Sequence, residues 1–393
     1  MRHSSSAWLT CAALILIGLC GCRSSEPVAD YHEYAYITNG GENTVTVVDL
    51  RALMRAGTVP VGRSPTGVAA NPKRNEVYVA NTDSNNISVI DSETNRVVST
   101  IGVHRAPYFI DVSADGTRAY VANSGSANLS AIDLKERKVV GNIPVGNGSN
   151  LARVSPNGKL VVVALRDEDS IALVDTASLA LLKKIKVCSK PVDLGILPDS
   201  SKVFVACSES RQVGVVNLDR KRGDRVLLAQ LDVGTTPAYI AVKPDGGEVF
   251  VCNYDASSIS EIITGSNEVN STFLIGDRPA QAVVSPDNSL LYVTNFGSNS
   301  VAVYSIDNGK RTGSVDVGQR PEALALSPSR LLLLVVNTGS DDLSVLSLID
   351  RKGHPIFPLP PALETMIPLG KDPRAIAVKA FISQPVNGNT ATR

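Results

Sequence analysis

One pattern constrains this chain more than any other: a unit of 42 residues that recurs along its length. Its clearest copies are VYVANTDSNNISVIDSETNRVVSTIGV at 77–103 and AYVANSGSANLSAIDLKERKVVGNIPV at 119–145. Each holds three short runs of β-forming residues separated by polar turns. A fourth run precedes each copy, introduced by a G-x-x-P-like loop: GRSPTGVAANP at 62–72 and HRAPYFIDVSADG at 104–116. Four strands at this period predict the blade of a β-propeller and not a helical array.

The second strands end in YITN (36–39), YVAN (78–81), YVAN (120–123), VVAL (162–165), FVAC (204–207), FVCN (250–253), YVTN (292–295) and LVVN (334–337). Their spacing is 42 residues except for 46 between Cys207 and Asn253, where the basic insertion DRKRGDR at 219–225 falls on a turn. Eight lead-in loops start at Gly62, His104, Gly146, Cys188, Gly234, Gly276, Gly318 and Gly370. The last of these, GKDPRAIAV at 370–378, has no strands after it, and the first YITN unit has no lead-in strand before it. The two gaps match. A blade of three N-terminal strands and one C-terminal strand would close the ring and leave no free sheet edge at the seam. An all-β, eight-bladed propeller is therefore expected over 34–381, with seven blades and an unused end as the alternative. Alternation agrees, since the third and fifth residues after the Pro slot are apolar or small (Val68 and Ala70, Ile110 and Val112, Ile240 and Val242, Leu324 and Leu326).

Outside the repeats the sequence changes character. Arg2 precedes an apolar stretch from Ala7 to Gly18, too short to span a bilayer and followed by small residues. Residues 1–21 read as a signal peptide whose removal takes away Trp8, the single tryptophan. Leu19-Cys20-Gly21-Cys22 resembles a bacterial lipobox, with Cys22 as the lipidated first residue of the mature chain. The expected location is the cell envelope, with membrane contact only through that lipid. Arg23 in place of Asp after the lipidated cysteine resembles outer-membrane sorting. Residues 22–33 then read as lipidated cysteine and polar tether, and 382–393 as a disordered tail.

The YITN, YVAN and YVTN endings, set in the frame G-x-x-P…SPDG…N-x-x-S-x-N-[VIL]-S-V-I-D, resemble the YVTN-type β-propeller repeat proteins of bacteria and archaea. The resemblance covers nearly all of 34–381 and implies the fold. It implies little about activity, because architectural relatives include surface-layer proteins, the heavy subunit of methylamine dehydrogenase, haem-binding nitrite reductase domains and sugar lactonases. Two blades depart from the pattern. Blade 4 has Ser149 for Pro and Leu165 for Asn, and blade 5 has Cys188 for Gly and Cys207 for Asn. Any local speciality is expected there.

Formal net charge is zero, from 38 basic and 38 acidic residues, so no global electrostatic case for nucleic acid exists. The chain has no H-E-x-x-H, no C-x-x-C-H, no phosphate-cradling glycine loop and no G-x-S-x-G elbow. Past the signal, His32, His104 and His354 fall in the tether, a lead-in loop and the Pro-rich insertion GHPIFPLPP at 353–361. Such a set predicts no metal site and no cofactor. His104 alone sits where propellers place ligands, as a haem ligand or base on one reading and a plain polar loop residue on the other.

Cys188 and Cys207 share a face of an antiparallel pair, which makes them a candidate disulfide in an exported chain, with Cys252 as a buried apolar thiol. Asp111 and Arg153 occupy the same position in adjacent blades and are expected to pair as structural ions. The run Arg166-Asp167-Glu168-Asp169 lacks calcium-loop spacing and reads as a solvated loop. Six lead-in loops carry a base: Arg63, Arg105, Lys190, Arg278, Arg320 and Lys371. Ring symmetry would gather these around one channel mouth as a ligand-binding set, offset in part by Asp277 and Asp372; unremarkable surface charge is the plainer reading.

These features favour an envelope-anchored binding scaffold for a protein, a polymer or a small anion. An enzyme or redox subunit working with a cofactor or partner chain, and a structural repeat protein of the cell surface, are the competing readings.

Overall fold

A computed structural model of the protein describes residues 30–219, 226–329, 331–349 and 360–383. The period-two runs become strands, and the polar segments between them become turns. Among the described residues, eight four-stranded antiparallel sheets stand around a central axis as an eight-bladed propeller. Helix among these residues is confined to two single 3-10 turns at Thr82–Ser84 and Arg166–Glu168. Among the described residues, no helix is long and apolar enough to cross a membrane.

Each lead-in loop delivers the chain to the innermost strand of a blade: Pro65–Ala70, Pro107–Val112, Ser149–Val154, Pro191–Ile196, Pro237–Val242, Pro279–Val284 and Pro321–Leu326 for blades 2 to 8. Blade 1 combines Asp30–Asn39, Thr44–Asp49 and Met54–Pro60 with the C-terminal strand Pro373–Ser383, which becomes its innermost strand. The seam is antiparallel, with Ala35 opposite Val378 and Ile37 opposite Ile376.

The core lies between blades. Tyr36, Tyr78, Tyr120, Phe204 and Phe250 open the repeated second-strand tetrads and are fully buried. Each buried side chain of this size contributes roughly 1.5–3 kcal/mol. Tyr36 illustrates the joint: its ring packs with Val45, Val47, Val77 and Val79 from two blades, while its hydroxyl donates to Asn95 Oδ1 at 2.6 Å.

The asparagine closing the tetrad forms a second joint. Asn81 Nδ2 donates to Asn86 Oδ1 at 2.8 Å and Ser88 Oγ at 2.9 Å, and Asn39, Asn123 and Asn337 repeat the arrangement. The lead-in glycine presses directly on this amide: a Cβ on Gly62 would lie 2.7 Å from Asn81, and one on Gly234 would lie 2.6 Å from Asn253. Glycine and asparagine, nineteen residues apart, are one packed unit. In blade 5 the same two positions are Cys188 and Cys207, joined by a disulfide with their Cα atoms 5.8 Å apart. Cys252 is free and buried.

Two boundaries move. The first strand begins at Asp30, so the segment expected to be tether through residue 33 ends earlier, and His32 lies in a strand. The C-terminal strand runs to Ser383, two residues into the expected tail. The cause is pairing: Asp30 to Glu33 lie opposite Ser383 to Ala380, His32 stacks on Phe381 with ring centroids 5.1 Å apart, and buried Glu33 accepts the Ser329 N–H at 2.9 Å. The expected signal peptide, Cys22, the basic insertion from 220, His354 and the expected tail from 384 lie outside the described residues.

Candidate binding site in the central channel

An innermost strand has one open edge, so its outward N–H groups need acceptors from elsewhere. The neighbouring blade supplies them. Asp111 Oδ2 accepts from Val154 N at 2.9 Å, Asp193 Oδ2 from Ile240 N at 2.8 Å, and Gln281 Oε1 from Leu324 N at 2.7 Å. Threonines do the converse: Thr38 Oγ1 donates to the Thr66 carbonyl and Thr66 Oγ1 to the Tyr108 carbonyl, both at 2.9 Å. Polar side chains therefore sit along the channel for a structural reason before any ligand is considered.

The channel opens on the lead-in face into a cavity of about 590 Å³. One side is low, built from Gly67, Ala69, Ala280, Ala323 and Ala375; Tyr108, Phe109, Asp111, Arg153 and Tyr239 project from the other, and Glu322 and Arg374 also line it. A second cavity of about 430 Å³ lies toward the opposite face, with Leu194, Ile196, Val242, Val283 and Val284 in its wall. Asp111, Arg153 and Tyr239 line both cavities and form the waist between them.

Arg153 is the centre of this waist. Its Nη2 meets Asp193 Oδ1 at 3.3 Å, its guanidinium lies 5.4 Å over the Phe109 ring, and its Nε is buried without a hydrogen-bond partner. The expected Asp111–Arg153 pair is thus corrected to Arg153–Asp193. Asp111 directs its oxygens to the Val112 and Val154 N–H groups instead. Burial pushes the Asp111 and Asp193 carboxyls up, against the pull of Arg153. Burial acts on Arg153 in the sense of lowering, yet Asp193, Tyr239 and Asp111 outweigh it and hold the guanidinium up. Burial also raises the Tyr239 phenol and the Glu322 carboxyl. The free thiol of Cys252 is pushed up by burial and then by Asp193, which leaves it an inert core group.

The six loop cations rim the lead-in face without lining the cavity. Arg278 lies 5.9 Å over the Tyr254 ring and Arg320 5.9 Å over Phe296. Lys190 pairs with Glu209, and Arg63 Nη2 donates to the Asp83 carbonyl at 3.1 Å. Arg105, Lys371 and His104 are exposed. The loops joining second and third strands pack against the lead-in loops, as in the Thr82 N–H donating to the Ser64 carbonyl. They carry Glu42, Asp83, Asp167, Glu168, Asp169, Glu209, Asp255 and Asp341 against Arg166 and Arg211, so the two loop sets together hold two more acids than bases. The positive excess expected from the lead-in loops alone does not extend to the whole face. Among the described residues, no cluster of three or more His, Cys, Asp or Glu side chains is arranged to hold a metal.

Sequence reasoning passed over Asp193, Tyr239, Gln281 and Arg374. The signal was present: these residues stand one or two positions after the Pro slot, beside the apolar positions that identified the strand.

A family model matches residues 27–152 and 149–383, nearly the whole of this architecture. The chain belongs to the YNCE-like beta-propeller family. No curated protein matches it. Solved structures do resemble this YNCE-like propeller in fold. Dihydro-heme d1 dehydrogenase NirN in complex with DHE aligns with a TM-score of 0.70 and 16% identity over 88% of this chain and 74% of that one. Kuenenia stuttgartiensis hydrazine synthase gives 0.56 and 23% over 69% and 91%. A putative 6-phosphogluconolactonase from Bacteroides fragilis gives 0.58 and 17% over 80% and 97%. At these identities the likeness is one of fold alone.

Proposed function

We propose that the protein is a binding propeller of the cell envelope, held by a lipid on Cys22, that receives a protein segment, a polymer or a small anion at the channel mouth on the lead-in face. The observation that carries this reading is Arg153: a cation lining a 590 Å³ cavity, fixed through Nη2 by Asp193 and steadied over Phe109, with donors left for a ligand. A guanidinium held in this way is preorganised for a carboxylate, phosphate or carbonyl acceptor. Arg374, nearer the mouth and paired with Asp372 at 2.6 Å, supplies a second cation.

Calorimetric titration of the purified full chain with inorganic phosphate and with succinate tests this. Binding should weaken with added salt, fall in Arg374→Gln and be lost in Arg153→Met. Undiminished binding in both variants, or none in the wild type, would refute the channel as an anion site. A visible absorption band in protein from its native source would overturn the reading in favour of a redox role. Anchoring is tested separately by the N-terminal acyl mass and by release from membranes in Cys22→Ala.

A further inference from the structure

We infer that the face opposite the channel mouth, where blades 1 and 8 meet, rests on a lipid surface and holds the mouth away from it. This rests on the proposed lipid anchor at Cys22. The described chain begins at Asp30 and ends at Ser383, and these two residues are cross-strand partners. They form the end of a two-stranded ribbon that extends past Tyr34, whose other partner, Asp49, is the last residue of its own strand. The first strand runs from this end toward the lead-in face.

Length decides which face the anchor serves. Asp30 is the eighth residue after Cys22, and fully extended that stretch reaches at most about 29 Å. The first strand has ten residues, and from its first to its last residue it spans about 31 Å at 3.4 Å per residue. A tether leaving from the ribbon is therefore shorter than the strand beside which it would have to pass to bring the mouth to the membrane.

The surface around the ribbon suits a lipid. Tyr31 and Ile382 lie opposite each other on it, 38% and 59% exposed. Met54, opposite Asp49, is 59% exposed. Leu331, in the blade 8 turn whose Ser329 donates to Glu33, and Leu363, near the same end of that blade's outer strand, are also exposed. These five are drawn from twelve large exposed apolar side chains among the described residues; Leu181 holds the same outer-strand position in blade 4 as Leu363 does in blade 8, and the five stand on the two blades from which the tether leaves. Arg51 pairs with Asp30 at 3.1 Å, so the ribbon offers the headgroups no unpaired carboxylate there. A tyrosine beside aliphatic side chains is the composition of a membrane–water interface.

The test uses the full chain in phosphatidylethanolamine–phosphatidylglycerol vesicles containing a nitroxide lipid. A polarity-sensitive fluorophore is attached through Ile382→Cys, Met54→Cys or, on the opposite face, Arg105→Cys, and the N-terminal mass is read on the same preparations. The expected result is loss of emission at positions 382 and 54 and none at 105. An acylated N-terminus with no loss at 382 and 54 would overturn the docked face while leaving the anchor standing. Loss at 105 instead would overturn it by reversing the orientation. An unacylated chain that stays off the vesicles would overturn the anchor, and this inference with it.

Discussion

The two sides of the channel wall are built from the same strand and do different things. Blades 1, 2, 7 and 8 line it largely with Gly67, Ala69, Ala280, Ala323 and Ala375, and there the wall recedes into a cavity. Blades 3, 4 and 6 send in Tyr108, Phe109, Asp111, Arg153 and Tyr239, and Asp193 of blade 5 ties the group together. The third and fifth positions after the Pro slot keep packing blade on blade, while the alternate positions face the channel and differ from blade to blade. Where they are Asp111, Asp193 and Gln281 they also close the open strand edge of the next blade, so there site and ring share residues.

The comparison is most exposed to failure at Asp193. Its replacement by Ala leaves Arg153 unpaired and the Ile240 N–H without an acceptor, a loss of about 3–5 kcal/mol for a broken buried ion pair. The corresponding change in the plainer half, Gln281→Ala, orphans the Leu324 N–H and removes a side-chain hydrogen bond to Tyr239, with no charge left unpaired, and should cost about 1–3 kcal/mol. Urea unfolding that gives equal losses would show that the two sides are not different in kind.

Next in size is the disulfide. Cys188 and Cys207 stand 19 residues apart, and Cys188→Ala with Cys207→Ala should lower stability by about 3 kcal/mol, the chain-entropy value for a loop near this size. Cys188→Gly with Cys207→Asn should recover only part of that. The residue seven positions on is Gly214, where blades 2 and 3 offer the hydroxyls of Ser88 and Ser130. Full recovery of the unfolding midpoint would mean that the glycine–asparagine contact suffices without its serine.

Acid should act oppositely on the waist and on the turns. Asp111 and Asp193 are raised above their ordinary value of 3.8, so the folded chain holds their protons to higher pH than the unfolded chain does. Their contribution is fully present below 3.8 and is lost as pH rises through the folded value. Turn carboxylates such as Asp115 and Asp199 are held below 3.8, first by the Ser113 and Ser201 hydroxyls, and contribute stability that is lost as pH falls. Relative to an Asp111→Asn, Asp193→Asn variant, the wild type should gain stability as pH falls from neutral toward about 4. Unfolding curves whose difference is flat across that range would contradict the assignment.

The smallest effect belongs to the rim. Arg278→Gln or Arg320→Gln removes one cation–π contact on an exposed loop, worth about 0.5–1 kcal/mol each. The fold should be unchanged by circular dichroism. A larger loss would place these arginines in the structural framework and not on its surface.

Much of the architecture was legible in the chain. A period of 42 residues, a constant loop between second and third strands, and complementary gaps at the two ends are local facts, and a ring of identical joints follows from them by repetition. The substitutions in blades 4 and 5 likewise announced where the pattern gives way: the waist pair Arg153–Asp193 and the disulfide are found there. What the chain could not disclose is which unlike residues meet across blades. Equal height pointed to Asp111 as the partner of Arg153, yet the open strand edge claims Asp111 for the Val112 and Val154 N–H groups, and Asp193 reaches the guanidinium from the other side. The charge of the mouth was hidden for the same reason, because acids distant in sequence arrive on loops that pack against the lead-in loops only when the blade folds. Periodicity is written residue by residue along one strand. Pairing and net field depend on which edges remain unpaired once the sheets have closed, and that is settled in three dimensions.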